Sequence, residues 1–162
     1  MSPKIGHKGT NMSNVYRAHS NYFGRAFGDI EDIAHEMGNV LKGIEYDTMV
    51  GTGLSGTLVV PTLARTFGKH WAIVRKEKSP HASGMIEGDI GQSWLFVDDF
   101  ISSGATFQRV QDVIKGLKVW EQYDYHSFET KCVGAYCYEH SGQNAFEPFR
   151  ERMRNYGHTN QY

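Results

Sequence analysis

Several things are scarce in this sequence. It has two cysteines and four prolines in 162 residues, and its formal net charge is −1. Near-neutrality argues against a binder of nucleic-acid backbone, which gains affinity by neutralising phosphates with a basic excess. Any phosphate must instead be met locally, by loops and a few cations. No apolar run approaches the ~20 residues needed to cross a bilayer. Residues 1–9 are polar and Gly-containing rather than a secretory leader, so a cytoplasmic protein with no membrane attachment is expected. Cys132 and Cys137 lie five apart in one expected strand. Strict alternation would send them to opposite faces, which suits neither a metal pair nor a local disulfide and reads as two reduced core thiols.

What is present fits one domain with a sizeable core: 40% hydrophobic and 22% charged residues. Residues 1–162 read as a single domain, with an irregular arm (1–28), a core (29–140) and a tail (141–162). The arm holds a short helix near 16–23, and the tail an amphipathic helix near 146–153. Asp29 is a candidate N-cap, and Ile30, Ile33, Ala34, Met37, Val40 and Leu41 recur at helical spacing up to Gly43. Strands are expected at 46–50, 71–75, 94–97 and 131–138, and further helices at 57–67 and 105–117. In the first of these Pro61 should occupy the opening turns. Residues 76–92 read as a long polar loop and 120–130 as irregular. Helices alternating with strands predict a three-layer α/β domain with a mainly parallel sheet.

The most informative stretch is Val97-Asp98-Asp99-Phe100-Ile101-Ser102-Ser103-Gly104-Ala105-Thr106. An apolar strand runs into two acids, then into a small-residue loop that opens a helix. Ligands of open α/β sheets sit beyond the carboxyl ends of the strands. Unpaired N–H groups at a helix start carry partial positive charge, and small residues let a phosphate approach them, with hydroxyls as extra donors. The acids would repel that phosphate, so they should face hydrogen-bond donors such as the vicinal hydroxyls of a ribose. Local chemistry alone leaves open an Asp-rich cap on an ordinary strand-to-helix turn.

That stretch resembles the 5-phosphoribosyl-1-pyrophosphate (PRPP) motif of the type I phosphoribosyltransferases. The resemblance implies a Rossmann-like three-layer fold with a small hood built from the chain ends. It implies that Ser102, Ser103, Gly104, Ala105 and Thr106 hold the 5-phosphate. Asp98 and Asp99 would hold the ribose hydroxyls and stabilise positive charge at the reacting carbon. Thr52, Gly53, Leu54, Ser55 and Gly56 match the family's pyrophosphate loop, where a non-proline cis peptide is expected near Gly53-Leu54. Ser55 stands where some members carry Lys.

Arg75-Lys76-Glu77-Lys78-Ser79-Pro80-His81 resembles the catalytic loop of the orotate phosphoribosyltransferases. Its Lys-to-His part is compressed, and Ala82-Ser83 replace the usual Gly. The resemblance implies that Arg75, Lys76, Lys78 and His81 neutralise a departing pyrophosphate. Magnesium is expected as cofactor, held by PRPP and water near Asp98 and Asp99 with no direct protein ligand. Expected partners are PRPP, a nucleobase acceptor (orotate somewhat favoured), pyrophosphate as product and a second copy in a homodimer. Hood candidates are Tyr16, Tyr22, Phe23 and Arg25 in the arm, and residues 138–144 after the last strand. A non-catalytic PRPP sensor with the same fold is the competing reading. A phosphatase- or kinase-like protein would explain the paired acids but not the Ser-Ser-Gly-Ala-Thr loop.

Overall fold

Ile33 and Met37 fall on one side of the first helix of the described residues, Ile30–Val40 (α1), and are buried there, with Leu41 buried at its C-cap. The remaining elements follow in chain order: β1 (Thr48–Thr52), α2 (Gly53–Phe67), β2 (His70–Val74), β3 (Ile86–Gly88), β4 (Ser93–Asp98), α3 (Ala105–Lys115), β5 (Lys118–Glu121), β6 (Asp124–Ser127) and β7 (Lys131–Cys137). The computed structural model describes residues 29–82, 84–121 and 124–139, and the side chains of these apart from 119–127. The hood candidates in the arm, residues 140–144 and the tail helix lie outside the described residues.

Five strands form one sheet in the order β3-β2-β1-β4-β7. β1 is parallel to β2 and β4, and β4 to β7, while β3 runs antiparallel along the edge of β2. Alternation along the strands divides the core. Met49, Ile73, Leu95, Val97 and Tyr136 face α1 and α2, where they meet Ile33, Met37, Val59, Val60 and Leu63. Val50, Ala72, Val74, Trp94, Phe96 and Ala135 face α3 and meet Phe107, Val110 and Ile114. The expected three-layer, mainly parallel α/β architecture is the observed one. Each fully buried aliphatic or aromatic side chain contributes about 1.5–3 kcal/mol. Phe107 also sets its ring edge-on to Phe96, with centroids 5.1 Å apart, which locks α3 to the sheet.

The structure corrects several local expectations. β1 begins two residues later than expected, because Asp47 is occupied in joining strand starts: its Oδ2 accepts the Gln92 and Ser93 N–H groups. α2 begins at Gly53, not residue 57, so Pro61 sits mid-helix, where it removes the N–H that would meet the Thr57 carbonyl. The 76–92 loop contains β3, and β5 and β6 pair antiparallel, so that part of the 120–130 stretch is strand rather than irregular chain. All peptide bonds among the described residues are trans, so the cis bond expected near Gly53-Leu54 is absent; Gly53 makes that turn with a positive φ of 64°.

The two cysteines also differ from expectation. β7 carries an extra residue opposite the Trp94/Leu95 step, so Trp94 pairs with Cys132 and Leu95 with Gly134. Cys132 and Ala135 therefore pack into the same core, and alternation places Cys137 on that face as well. Neither cysteine forms a disulfide. Among the described residues no helix is long and apolar enough to cross a membrane.

Candidate active site

β1 leads through α2 to β2 on one side, and β4 through α3 to β7 on the other. The chain thus reverses direction across the sheet between β1 and β4, with α2 and α3 on opposite faces. A crevice at the carboxyl ends of such strands is the usual ligand position in open α/β sheets. A cavity of about 260 Å³ lies there, lined by Thr52, Gly53, Leu54, Ser55, Lys76, Asp98, Asp99, Phe100, Ile101, Ser102, Ser103, Gly104, Thr106 and Phe107.

Its floor is the acid pair. Asp98 and Asp99 are both buried, at 7% and 5% exposure. Asp98 Oδ1 accepts the Ser55 hydroxyl at 2.9 Å and the Asp99 N–H at 3.0 Å, and Asp99 Oδ1 accepts the Phe100 N–H at 2.9 Å. Burial, aided by a hydrogen bond to and the charge of Asp99, pushes the Asp98 carboxyl up to about 7, against the opposing hydrogen bond from Ser55. Burial and the charges of Asp99, Asp98 and Glu139 likewise raise the Tyr138 phenol. The chain after β7 is tied to the pair, since Tyr138 N–H donates to Asp98 O and Glu139 N–H to Asp99 O, each at 3.0 Å.

One wall is the start of α3. Gly104 caps it in a left-handed conformation, with φ at 85°. Ser103 Oγ accepts the Ala105 N–H at 3.3 Å. Ser102, Ser103 and Thr106 are exposed toward solvent, so their hydroxyls are reachable. No acidic residue occupies the first turn of α3, so nothing there offsets its positive end.

The opposite wall is the turn after β1. A Cβ on Gly53 would lie 3.0 Å from Lys76 Cε and 3.4 Å from its Nζ, so the glycine leaves room for that lysine to lie across the turn. Gly56 does not line the cavity. Its Cα comes so close to Gly51 that a Cβ on Gly51 would meet it at 2.9 Å, which makes this glycine a helix-to-strand contact rather than a ligand contact. Thr52 reaches the cavity, but its hydroxyl is committed: it donates to Val74 O at 2.7 Å and accepts from Arg109 at 2.6 Å.

The other expected residues are dispersed. Arg75 pairs with Glu87 on β3, with its Nη2 2.6 Å from Glu87 Oε1, and does not line the cavity. Lys78, His81 and Ala105 do not line it either. Thus Lys76 is the member of the Arg-Lys loop that lines the same cavity as the acids. Sequence reasoning missed Arg109, which lies one turn into α3 and carries no motif signal.

No family model matches the chain. Over 76 residues, 45% of this chain, it is 34% identical to an orotate phosphoribosyltransferase of Pyrococcus abyssi. Among solved structures it is similar to the UMP synthase of Leishmania donovani, with a TM-score of 0.53 and 16% identity, covering 70% of this chain and 22% of that one. It is also similar to the orotate phosphoribosyltransferase of Mycobacterium tuberculosis H37Rv, solved with Fe(III) dicitrate: TM-score 0.50, 22% identity, 70% of this chain and 63% of that one. The fold is that of the type I phosphoribosyltransferase family. The match spans 42% of the Pyrococcus abyssi protein, less than half its length. In this phosphoribosyltransferase fold the acid pair, the α3 start and the Gly53–Ser55 turn converge where β1 and β4 end.

Proposed function

We propose that the protein transfers ribose 5-phosphate from PRPP to a nucleobase, releasing pyrophosphate, with orotate the first acceptor to try. The observation that carries this reading is the convergence on one cavity of three unlike surfaces. A hydroxyl-rich helix start suits a phosphate, two buried acids suit ribose hydroxyls, and a glycine turn beside Lys76 suits a second anion.

In this reading Ser102, Ser103, Thr106 and the first amides of α3 hold the 5-phosphate. Asp99 and Asp98 hold the sugar hydroxyls and stabilise the cationic character that develops at the anomeric carbon as its bond to pyrophosphate breaks. Lys76 and the Gly53–Ser55 amides take up charge on the leaving group. Catalysis is then mainly positioning and charge stabilisation, with no covalent intermediate on the protein.

Magnesium belongs to the proposal as well. The donor set suits it through hard oxygen: the carboxylate pair Asp98/Asp99 lies beside the place assigned to the sugar. Such an ion keeps most of its shell from water and substrate oxygens, and it would supply charge neutralisation. A homodimer is also proposed, to be checked by light scattering.

The competing reading, a PRPP-binding sensor, draws on one observation: Arg75, Lys78 and His81 stand off the cavity, with Arg75 bound to Glu87. Incubation with PRPP, magnesium and a panel of bases separates the two. Base-dependent pyrophosphate release supports transfer. Saturable PRPP binding with no release for any base supports the sensor. Absence of PRPP binding removes both.

A further inference from the structure

Three loops must keep their places if one ligand is to be held by all of them, and they leave three different elements. The turn at residues 53–55 follows β1, the loop beginning at Arg75 follows β2, and the small-residue loop leads into α3. Hydrogen bonds of the sheet set the strands relative to one another but do not reach across to a helix. Side chains must make that link.

Arg109 makes it. It projects from α3, and its guanidinium donates through Nη2 to Thr52 Oγ1 at 2.6 Å and through Nη1 to Arg75 O at 2.7 Å. Thr52 Oγ1 in turn donates to Val74 O at 2.7 Å. One planar cation thus ties α3 to the last residue of β1 and to the first residue after β2. Thr52 immediately precedes the 53–55 turn, and Arg75 immediately precedes Lys76. Thr52 is buried, at 2% exposure, and both Arg109 bonds are part-buried, so the clamp is partly shielded from solvent. The fork of fixed donors suits Arg and not Lys, whose ammonium is a single point.

We infer that Arg109 is a positioning residue for the leaving-group half of the site: it fixes the 53–55 turn and Lys76 relative to the phosphate-binding start of α3. This rests on the PRPP reading given above. The 5-phosphate loop belongs to α3 itself and keeps its geometry without the clamp. The surfaces assigned to pyrophosphate lose their tie to α3, and the Ser55–Asp98 hydrogen bond then holds the turn only to the end of β4. Losing Arg109 should therefore damage binding of PRPP far more than binding of ribose 5-phosphate, which lacks the pyrophosphate.

The test compares dissociation constants for PRPP and for ribose 5-phosphate, each with magnesium, in wild type, Arg109→Gln, Arg109→Lys, Thr52→Val and the double variant Arg109→Gln/Thr52→Val. Arg109→Gln is expected to weaken PRPP roughly tenfold or more and ribose 5-phosphate less than about threefold, on the scale of a displaced hydrogen-bonded group. Arg109→Lys should recover only part of the loss. Arg109→Gln and Thr52→Val should be non-additive on PRPP, because each breaks the same clamp. Equal weakening of both ligands, or additive losses, would make Arg109 a merely structural residue and overturn the inference. So would wild-type discrimination in Arg109→Gln. Should Arg109→Gln fail to fold, the two-ligand comparison in Arg109→Lys and Thr52→Val decides the matter alone. Failure of the wild type to bind either ligand would instead sink the PRPP reading on which the inference stands.

Discussion

Ser55 donates its hydroxyl to Asp98 Oδ1 at 2.9 Å, joining the turn after β1 to the acid at the end of β4 across 43 residues of sequence. The bond is to a buried group and favours its charged form, opposing the burial that raises Asp98. Ser55→Ala should therefore cost more where Asp98 is ionised than where it is protonated. A hydrogen bond to a charged group is worth about 1.5–3 kcal/mol. The expected loss is of that order at pH 8.5 and clearly smaller at pH 5.5, read from urea unfolding at both values. An equal loss at the two pH values would contradict this account.

Asp98 itself gives a pH dependence with a definite sign. Its folded-state value, about 7, lies above its ordinary value of 3.8. The folded state then binds more protons between the two values, and stability falls as pH rises through that window. The contribution is complete below pH 3.8 and lost above about 7. Asp98→Asn removes the titration. Relative to wild type it should gain stability progressively from pH 4 to 8, by a few kcal/mol on the order-of-magnitude scale of such shifts. Together with Asp99→Asn it should also reduce pyrophosphate release at least ~100-fold, as loss of charge stabilisation does. A stabilised but fully active double variant would remove the acids from the reaction.

Glu87 holds Arg75 away from the cavity on an exposed surface, with side chains 36% and 50% accessible. Such pairs contribute about 0–1 kcal/mol, so Glu87→Gln should leave the melting temperature nearly unchanged. If Arg75 serves the pyrophosphate, the same change should tighten PRPP about two- to fivefold, and Arg75→Ala should weaken it by at least as much. Titration calorimetry of the three proteins measures both. No change in either variant would leave Arg75 as a surface residue.

Gly51 and Gly56 meet backbone to backbone, and a Cβ on Gly51 would also lie 2.7 Å from Val60 Cγ2. Overpacking of this kind costs about 1–3 kcal/mol. Gly51→Ala is expected to lower stability by that amount, and Gly56→Ala likewise, since its Cβ would meet Gly51 backbone atoms at 2.9 Å. Gly43→Ala is a useful contrast. It has open space but a φ of 82°, so its cost comes from backbone conformation and not from packing. Thermal denaturation of the three ranks the two causes.

The sequence by itself determined the alternating α/β plan and the strand-to-helix stretch from Val97 to Thr106. Those signals are local: an apolar run, two acids and small residues follow one another, and the covalent order alone sets them at a strand end and a helix start. It also marked the glycine turn, though not which glycine does what. Gly53 admits Lys76 across the turn, while Gly56 packs on Gly51, a distinction that exists only once α2 lies on β1. Edge strand β3 escaped notice because three residues among polar neighbours carry no period, and only pairing with β2 makes them a strand. The bulge that turns Cys132 onto the face of Ala135 is likewise a product of register with β4. Arg109 was illegible for the same reason in a stronger form: its acceptors lie 34 and 57 residues away. Tertiary structure alone decided which of the loop cations lines the cavity of the acids, taking Lys76 and leaving Arg75 with Glu87. A side chain's reach is set by the packing of its backbone and by nearby opposite charge, and neither can be read along the chain.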